Sequence, residues 1–315
     1  MKKIIRIEQL NSDVFNLTWI INNICPNSCS YCPENLHNGS NHNYEWKNVQ
    51  IFLKELSDRY GKIRCSIGGG EPTMSPFLYD MISMINDLGG LVTITSNGYR
   101  TPEYWKDIAP KINWLGFSYH PEFSTERYFE NLDTVKYLTQ VSARVMMLSS
   151  HWDQCVEVYE RLRKDSYYIT SAVRITNWLG NDNNGTDQYT SEQLQWFYNL
   201  QTDTKNKYKH IDSSKFVYFP TRAYMSDNSS EIIRDATLYI NNKQTLFKGY
   251  TCEIGIKSMY VNQFGNIKRG NCNEGGIIGN INNPNEINWP TEPVTCSYNS
   301  CDCGTDVRIN KWINE

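Results

Sequence analysis

The chain contains no run of about 18 apolar residues, so it offers no helix able to cross a bilayer. It lacks an excess of either charge. Its 31 Lys and Arg face 34 Asp and Glu, which excludes a nucleic-acid-coating surface and a polybasic membrane anchor. The basic start, Met1-Lys2-Lys3-Ile4-Ile5-Arg6, is followed by no apolar signal core and no small-residue cleavage site. Cysteine, by contrast, is present ten times in 315 residues. The cysteines cluster at metal-like spacings, in a chain too long for a small disulfide-stapled scaffold. A reducing, cytoplasmic setting is expected. The length allows one large domain or a large domain plus a small one.

Three cysteines form a C-x3-C-x2-C run, Cys25-Pro26-Asn27-Ser28-Cys29-Ser30-Tyr31-Cys32. Thiolates at this spacing on one loop can bind three irons of a [4Fe–4S] cube and leave the fourth open. A storage or electron-transfer cluster would want a fourth thiolate. An open iron implies chemistry at the metal. A second motif, Gly68-Gly69-Gly70-Glu71-Pro72, follows a short strand at Ile63–Ile67. Glycines let the backbone approach a ligand with no Cβ in the way, and a carboxylate can pair with an ammonium. The plainer alternatives are a glycine turn for this motif and a structural zinc site for the cysteines.

Short apolar strands alternate with helical stretches over the first two-thirds, the sign of parallel βα architecture. Strands are expected at Asn16–Asn22, Lys62–Ile67, Leu91–Ser96, Trp114–Tyr119, Arg144–Ser149 and Ala172–Thr176. Helices are expected at Asn48–Tyr60, Pro76–Leu88, Glu130–Leu138 and Gln154–Arg163. Gly180 to Asp212 is polar and Asn-rich. Within it Ser191–Leu200 reads as a helix with Leu194, Phe197 and Tyr198 inward, and Asp203–His210 as a linker. The expected domains are therefore 1–210 and 211–315. Beyond 211, Thr237–Ile240, Lys243–Phe247, Ser258–Val261 and Asn266–Arg269 read as short strands in hairpins. Their turns are at Asn241-Asn242 and Phe264-Gly265-Asn266. Five cysteines lie here: Cys252, Cys272, Cys296, Cys301 and Cys303. Thiolates on hairpins suit zinc as well as an iron–sulfur cluster. Cys65 and Cys155 read as buried apolar residues.

The cysteine run and the Gly-Gly-Glu-Pro stretch, each after an apolar strand, resemble the two signatures of the radical S-adenosylmethionine (SAM) superfamily. That resemblance implies a partial (β/α)6 TIM barrel, an α/β fold with function at the C-terminal ends of its strands. It implies that Cys25, Cys29 and Cys32 hold a [4Fe–4S] cluster whose open iron is chelated by SAM. Gly69, Gly70 and Glu71 would hold the SAM amino group, and Tyr31 would lie against the adenine. Ser96 and Asn97, in the Thr95-Ser96-Asn97-Gly98 strand end, would meet the ribose or methionyl end, although Asn-Gly is also a routine turn pair. Arg174 would pair with the carboxylate, or simply point outward from its strand. His120, in Ser118-Tyr119-His120-Pro121-Glu122, is the candidate catalytic residue at the barrel mouth. The order of the last five cysteines around Gly265 and Gly279-Asn280-Ile281 resembles SPASM/twitch extensions, which hold auxiliary Fe–S clusters. Five are too few for two clusters, so one probable auxiliary [4Fe–4S] cluster is implied, in a small twitch-like β-hairpin extension. The usual C-x2-C pair at its end is missing, which leaves open which of Cys296, Cys301 and Cys303 join Cys252 and Cys272.

The implied activity is that of an oxidoreductase-type C–H activation enzyme. SAM is cleaved reductively to a 5′-deoxyadenosyl radical, which abstracts a hydrogen atom from substrate, with electrons from a flavodoxin- or ferredoxin-type donor. A peptide or protein side chain is the expected substrate. The alternative is a small sugar, aminoglycoside or nucleoside-type metabolite, handled by a dehydrogenase, epimerase or dehydratase. About 15 residues precede the first barrel strand, too few for a separate peptide-recognition domain. Two other classes stay open: an iron–sulfur electron carrier, against which Gly69-Gly70-Glu71 argues, and a zinc-binding interaction protein.

Overall fold

The computed structural model describes residues 2–10, 13–39, 44–165, 168–175, 189–207, 221–233, 236–241 and 243–313. Its strands in chain order are β1 (Ile4–Gln9), β2 (Val14–Ile20), β3 (Lys62–Gly68), β4 (Leu91–Ser96), β5 (Trp114–Tyr119), β6 (Gln140–Met147) and β7 (Tyr168–Arg174). They continue with β8 (Thr221–Met225), β9 (Ser230–Ile233), β10 (Tyr250–Cys252), β11 (Ser258–Val261), β12 (Asn266–Lys268), β13 (Ile277–Asn280), β14 (Val294–Thr295) and β15 (Lys311–Ile313). The α-helices are α1 (Trp46–Tyr60), α2 (Leu78–Asp87), α3 (Pro102–Ile108), α4 (Glu126–Val135), α5 (Trp152–Arg163), α6 (Ser191–Lys207) and α7 (Ala236–Asn241). The chain divides into two compact units. The first comprises Met1–Ile24, Ser40–Thr93 and Tyr218–Glu315; the second comprises Cys25–Gly39 and Ile94–Val217.

In the first unit β2 and β3 run parallel, in register from Val14↔Lys62 to Ile20↔Gly68. β11 lies parallel on the other side of β2, and β12 and β13 extend that edge antiparallel. Helix α1 covers the β2–β3 pair because Val49, Phe52, Leu53 and Leu56 fall on one face at helical spacing and are all buried. Burying each is worth roughly 1.5–3 kcal/mol. Trp19 of β2 is fully buried, its indole N–H donates to Tyr44 Oη at 3.3 Å, and Phe52 meets it edge-on at 5.7 Å. A second sheet in this unit is antiparallel, in the order β14-β10-β15-β1-β8-β9. Strand β1, which no expectation covered, lies inside it between β15 and β8, with Ile4 and Ile7 buried in the unit's core.

In the second unit β5, β6 and β7 run parallel, in register from Trp114↔Gln140 and from Val141↔Tyr168. Every residue of β5 is buried, as expected of a parallel strand covered on both faces. Helices α4 and α5 supply part of the cover through Tyr128, Leu132, Val135, Cys155, Val158, Tyr159 and Leu162. The fold is mixed α/β, and no closed barrel forms among the described residues.

Several expectations need correction. Thr237–Ile240 is part of helix α7 instead of a strand, and Lys243–Phe247 is not a strand. The apolar residues Ala236 and Tyr239, at i and i+3, are buried in the core of the first unit. Lys243 adopts the left-handed φ of 54° that ends the helix, so no hairpin forms there. Packing against the core overrides the β-propensity of Thr, Tyr and Ile. Helix α6 turns in Trp196 and Phe197, while Leu194 and Tyr198 are exposed. Thr176, the loop at 180–185 and the expected boundary at 210/211 lie outside the described residues.

Candidate functional site

The C-x3-C-x2-C loop belongs to the second unit and is held by side chains from β4 and β5. At the end of β4 the Asn97 amide donates to Cys25 Sγ at 3.6 Å, while its oxygen accepts the Tyr99 N–H at 2.9 Å. Ser96 is buried, and its Oγ accepts the Gly98 N–H at 3.0 Å. That turn is fixed by Asn131, whose amide donates to the carbonyls of Gly98 and Arg100 at 2.7 and 2.8 Å. After β5, His120 Nδ1 lies 2.6 Å from Tyr31 Oη and 3.5 Å from Cys29 Sγ. The two rings stack at 6.1 Å with 5° between their planes. The Glu122 carboxylate accepts the Ser30 N–H at 2.9 Å. Buried Leu148 and Ile175, with Met146, pack on Cys29, Tyr31 and Cys32.

Burial dominates the electrostatics. It pushes the Cys29 thiol up to about 12 and Cys32 up to about 11, with the neighbouring thiols adding to both. It pushes the Tyr31 phenol above its usual range as well. His120 goes the other way, down to about 4, because burial disfavours the imidazolium. Tyr31 therefore keeps its proton and His120 is uncharged; the phenol hydroxyl is shared between His120 Nδ1 and the Cys29 sulfur. Buried thiolates this close together need positive charge beside them. That donor set, three thiols on one loop with hydrogen bonds reaching the sulfur of Cys25, fits an iron–sulfur cube.

The Gly-Gly-Glu-Pro stretch belongs to the first unit, built on the segment that leads into Cys25. The Gly70 N–H donates to Asn22 O at 3.0 Å and the Glu71 N–H to Ile24 O at 2.7 Å. The Asn22 amide returns a bond to Glu71 O at 3.0 Å. Gly69 has φ of 156°, and a Cβ there would sit 2.7 Å from Asn22 O, so only glycine fits. Glu71 is fully buried, and its carboxylate accepts from the Thr73 N–H and Oγ1 at 3.1 and 2.7 Å. Arg174, at the end of β7, lies over the Tyr189 ring at 5.5 Å. Its Nε is buried without a hydrogen-bond partner among the described residues.

The second cysteine group lies wholly in the first unit. Cys252, Cys272, Cys296 and Cys301 line one concavity together with Phe247, Asp306 and Lys311. Cys303 is not among the lining residues. Burial raises its thiol to about 12 with the Asp306 charge adding, while the backbone N–H groups of Asp306 and Thr305 draw it back. Burial likewise raises Cys252, Cys272, Cys296 and Cys301. Two buried thiols, Cys252 and Cys301, and two half-buried ones, Cys272 and Cys296, share the concavity, a donor set that suits a cube. Tetrahedral zinc draws on the same thiolate donors. Cys65 and Cys155 are buried in β3 and α5. Sequence reasoning missed Asn22, Asp306 and Lys311, which carry no motif of their own.

Residues 19–164 match the family model described as Radical SAM superfamily. Over 75 residues the chain is 35% identical to an S-adenosylmethionine-dependent nucleotide dehydratase from a Thermoplasmatales archaeon (strain ISO4-H5). The match spans 24% of this chain and about a quarter, 26%, of that protein. Among solved structures, anSMEcpe with bound AdoMet is similar with a TM-score of 0.54 at 13% identity, covering 85% of this chain and 78% of that one. Streptococcus suis SuiB bound to its precursor peptide SuiA is similar with a TM-score of 0.53 at 14% identity, covering 81% and 59%. These two likenesses are of fold. Among the described residues no helix is long and apolar enough to cross a membrane.

Proposed function

We propose that this chain, a radical SAM enzyme with its radical SAM domain in residues 19–164, modifies a peptide or protein side chain by hydrogen-atom abstraction. The observation that carries the chemistry is the loop of Cys25, Cys29 and Cys32, three buried or half-buried thiols gripped through sulfur-directed contacts from Asn97 and His120. When bound, the [4Fe–4S] cluster and SAM supply a 5′-deoxyadenosyl radical by one-electron reduction. The chain's own residues do the rest. Asn97 withdraws electron density from the Cys25 sulfur, and such bonds raise a cluster's potential. Tyr31, His120 and Glu122 fix the loop, and His120 acts here as a positioning residue. Leu148, Ile175 and Met146 keep water from Cys29 and Cys32.

The roles that the resemblance gives Gly69, Gly70, Glu71, Tyr31, Ser96, Asn97 and Arg174 in binding SAM belong to this proposal, as does the partial (β/α)6 barrel. So does an auxiliary [4Fe–4S] cluster on Cys252, Cys272, Cys296 and Cys301. A peptide substrate is supported by anSMEcpe and SuiB, which are similar in fold and whose structures include complexes with peptides. The 75-residue match to a nucleotide dehydratase favours a second reading, a nucleotide or similar small metabolite. Anaerobically reconstituted protein should release 5′-deoxyadenosine after dithionite reduction. Deuterium carried into that product from labelled peptide, and not from labelled nucleotides, supports the first reading; the reverse outcome replaces it with the second.

A further inference from the structure

The concavity lined by four of the five C-terminal cysteines contains a cation that no sequence motif marks. Lys311 is among the most buried side chains of the protein, 2% exposed. Its ammonium donates to three backbone carbonyls, those of Asp306, Val307 and Ile309, at 2.6, 3.1 and 3.0 Å. It lies over the Phe247 ring, 5.0 Å from the centroid. Strand pairing fixes its direction. Lys311 of β15 and Cys252 of β10 are directly opposed in the antiparallel register, and opposed residues project from the same face of a sheet. Both line the concavity with Cys272, Cys296 and Cys301.

A buried ammonium is costly unless something negative compensates it. Among the described residues no carboxylate lies within ion-pair distance of Lys311. The two acidic groups lining the concavity are bonded elsewhere: the Asp306 carboxylate accepts the Cys272 N–H at 2.9 Å, and Glu274 accepts the Ser297 N–H and hydroxyl at 2.8 and 2.7 Å. The three carbonyls satisfy the donors of Lys311 but carry no net charge. The Lys311 charge reaches the thiols of Cys252, Cys296 and Cys301 and the Asp306 carboxyl, all in the same concavity.

We propose that Lys311 is the built-in counter-charge of this four-cysteine site, a positioning residue that raises the reduction potential of the group the thiolates hold. The inference rests on the reading that the site holds a [4Fe–4S] cluster. A cube ligated by four thiolates is an anion, and each one-electron reduction makes it more negative with no bond made or broken. A fixed positive charge in a dry site stabilises the reduced form more than the oxidised one. Three carbonyls hold the ammonium in place, so it cannot swing away when the charge changes.

The test uses the full chain carrying Cys25→Ala, Cys29→Ala and Cys32→Ala, so that only the C-terminal site can load. After anaerobic reconstitution it should hold about four irons. Iron near zero overturns the cluster reading and the inference with it. With about four irons present, Lys311→Met is compared by a dithionite titration followed by electron paramagnetic resonance. The expected result is a lower midpoint potential, with the reduced-to-oxidised ratio at fixed potential falling about tenfold, equivalent to 59 mV for one electron. Lys311→Arg should restore most of the shift. An unchanged midpoint in Lys311→Met overturns the inference while the cluster reading stands. Loss of iron in Lys311→Met but not in Lys311→Arg supports a required charge; loss in both assigns the residue to packing and overturns the inference.

Discussion

Replacing His120 by Asn tests the electrostatic account of the cysteine loop without any cofactor. Burial holds the His120 pKa at about 4 in the folded chain, against 6.5 for the exposed side chain. Between these values the unfolded chain binds more protons than the folded one, so stability falls as pH falls through the window. The full difference is about 3 kcal/mol, and at pH 5 about 2 kcal/mol of it is already lost. The cause is burial, which disfavours the imidazolium and outweighs the opposing pull of the Glu122 charge. Urea unfolding of the iron-free, reduced protein at about pH 7.5 and pH 5 gives the measurement. The stability advantage of wild type over His120→Asn should shrink by about 2 kcal/mol on acidification. An advantage constant to within about 0.5 kcal/mol would refute the claim that His120 is held neutral against Tyr31 and Cys29.

Gly69→Ala should cost about 1–3 kcal/mol in backbone strain alone, before the 2.7 Å approach to Asn22 O is relieved, and thermal melting should show it. A melting temperature within a degree of wild type would contradict the cramped geometry. Asn97→Ala removes one of two donors on Cys25 Sγ, leaving the Asn27 N–H at 3.4 Å, and should lower the potential of the N-terminal cluster, read by a redox titration of protein lacking the C-terminal ligands; an unchanged potential would mean the contact is incidental. Cys303→Ala should leave the iron content of the C-terminal site intact, whereas Cys252→Ala or Cys301→Ala should remove about four irons. Iron loss in Cys303→Ala would reassign the ligand set.

The parallel strands were legible because each is a short apolar run flanked by an amphipathic helix. Leu91–Ser96 and Trp114–Tyr119 fall where the sequence places them, to the residue. Others slid: the strand expected at Arg144–Ser149 spans Gln140–Met147, because its buried alternation begins at Val141. Strand β1 escaped notice because its partners, β8 and β15, lie more than 200 residues away, and no local pattern reports such pairing. Helix α7 is hard to read for the related reason that its six residues, Ala236–Asn241, make fewer than two turns, too short for a helical period to show before Ala236 and Tyr239 pack. In the site, the two motifs and His120 were visible as residue types. The bond from Asn97 to Cys25, the Tyr31–His120 contact and the cation beneath the second cysteine group are products of folding, and no spacing announces them. The sequence left three terminal cysteines equivalent; in the fold Cys296 and Cys301 line the concavity, and Cys303 lies near enough to Cys301 for their charges to interact.

The most direct test is the spectrum of the N-terminal cluster, in protein whose C-terminal cysteines are replaced, before and after SAM is added to the dithionite-reduced sample. One iron without a thiolate predicts that SAM changes the paramagnetic signal, and that 5′-deoxyadenosine then forms in wild type but not in Cys29→Ala. A colourless zinc protein, a signal indifferent to SAM, or cleavage that persists in Cys29→Ala would contradict it.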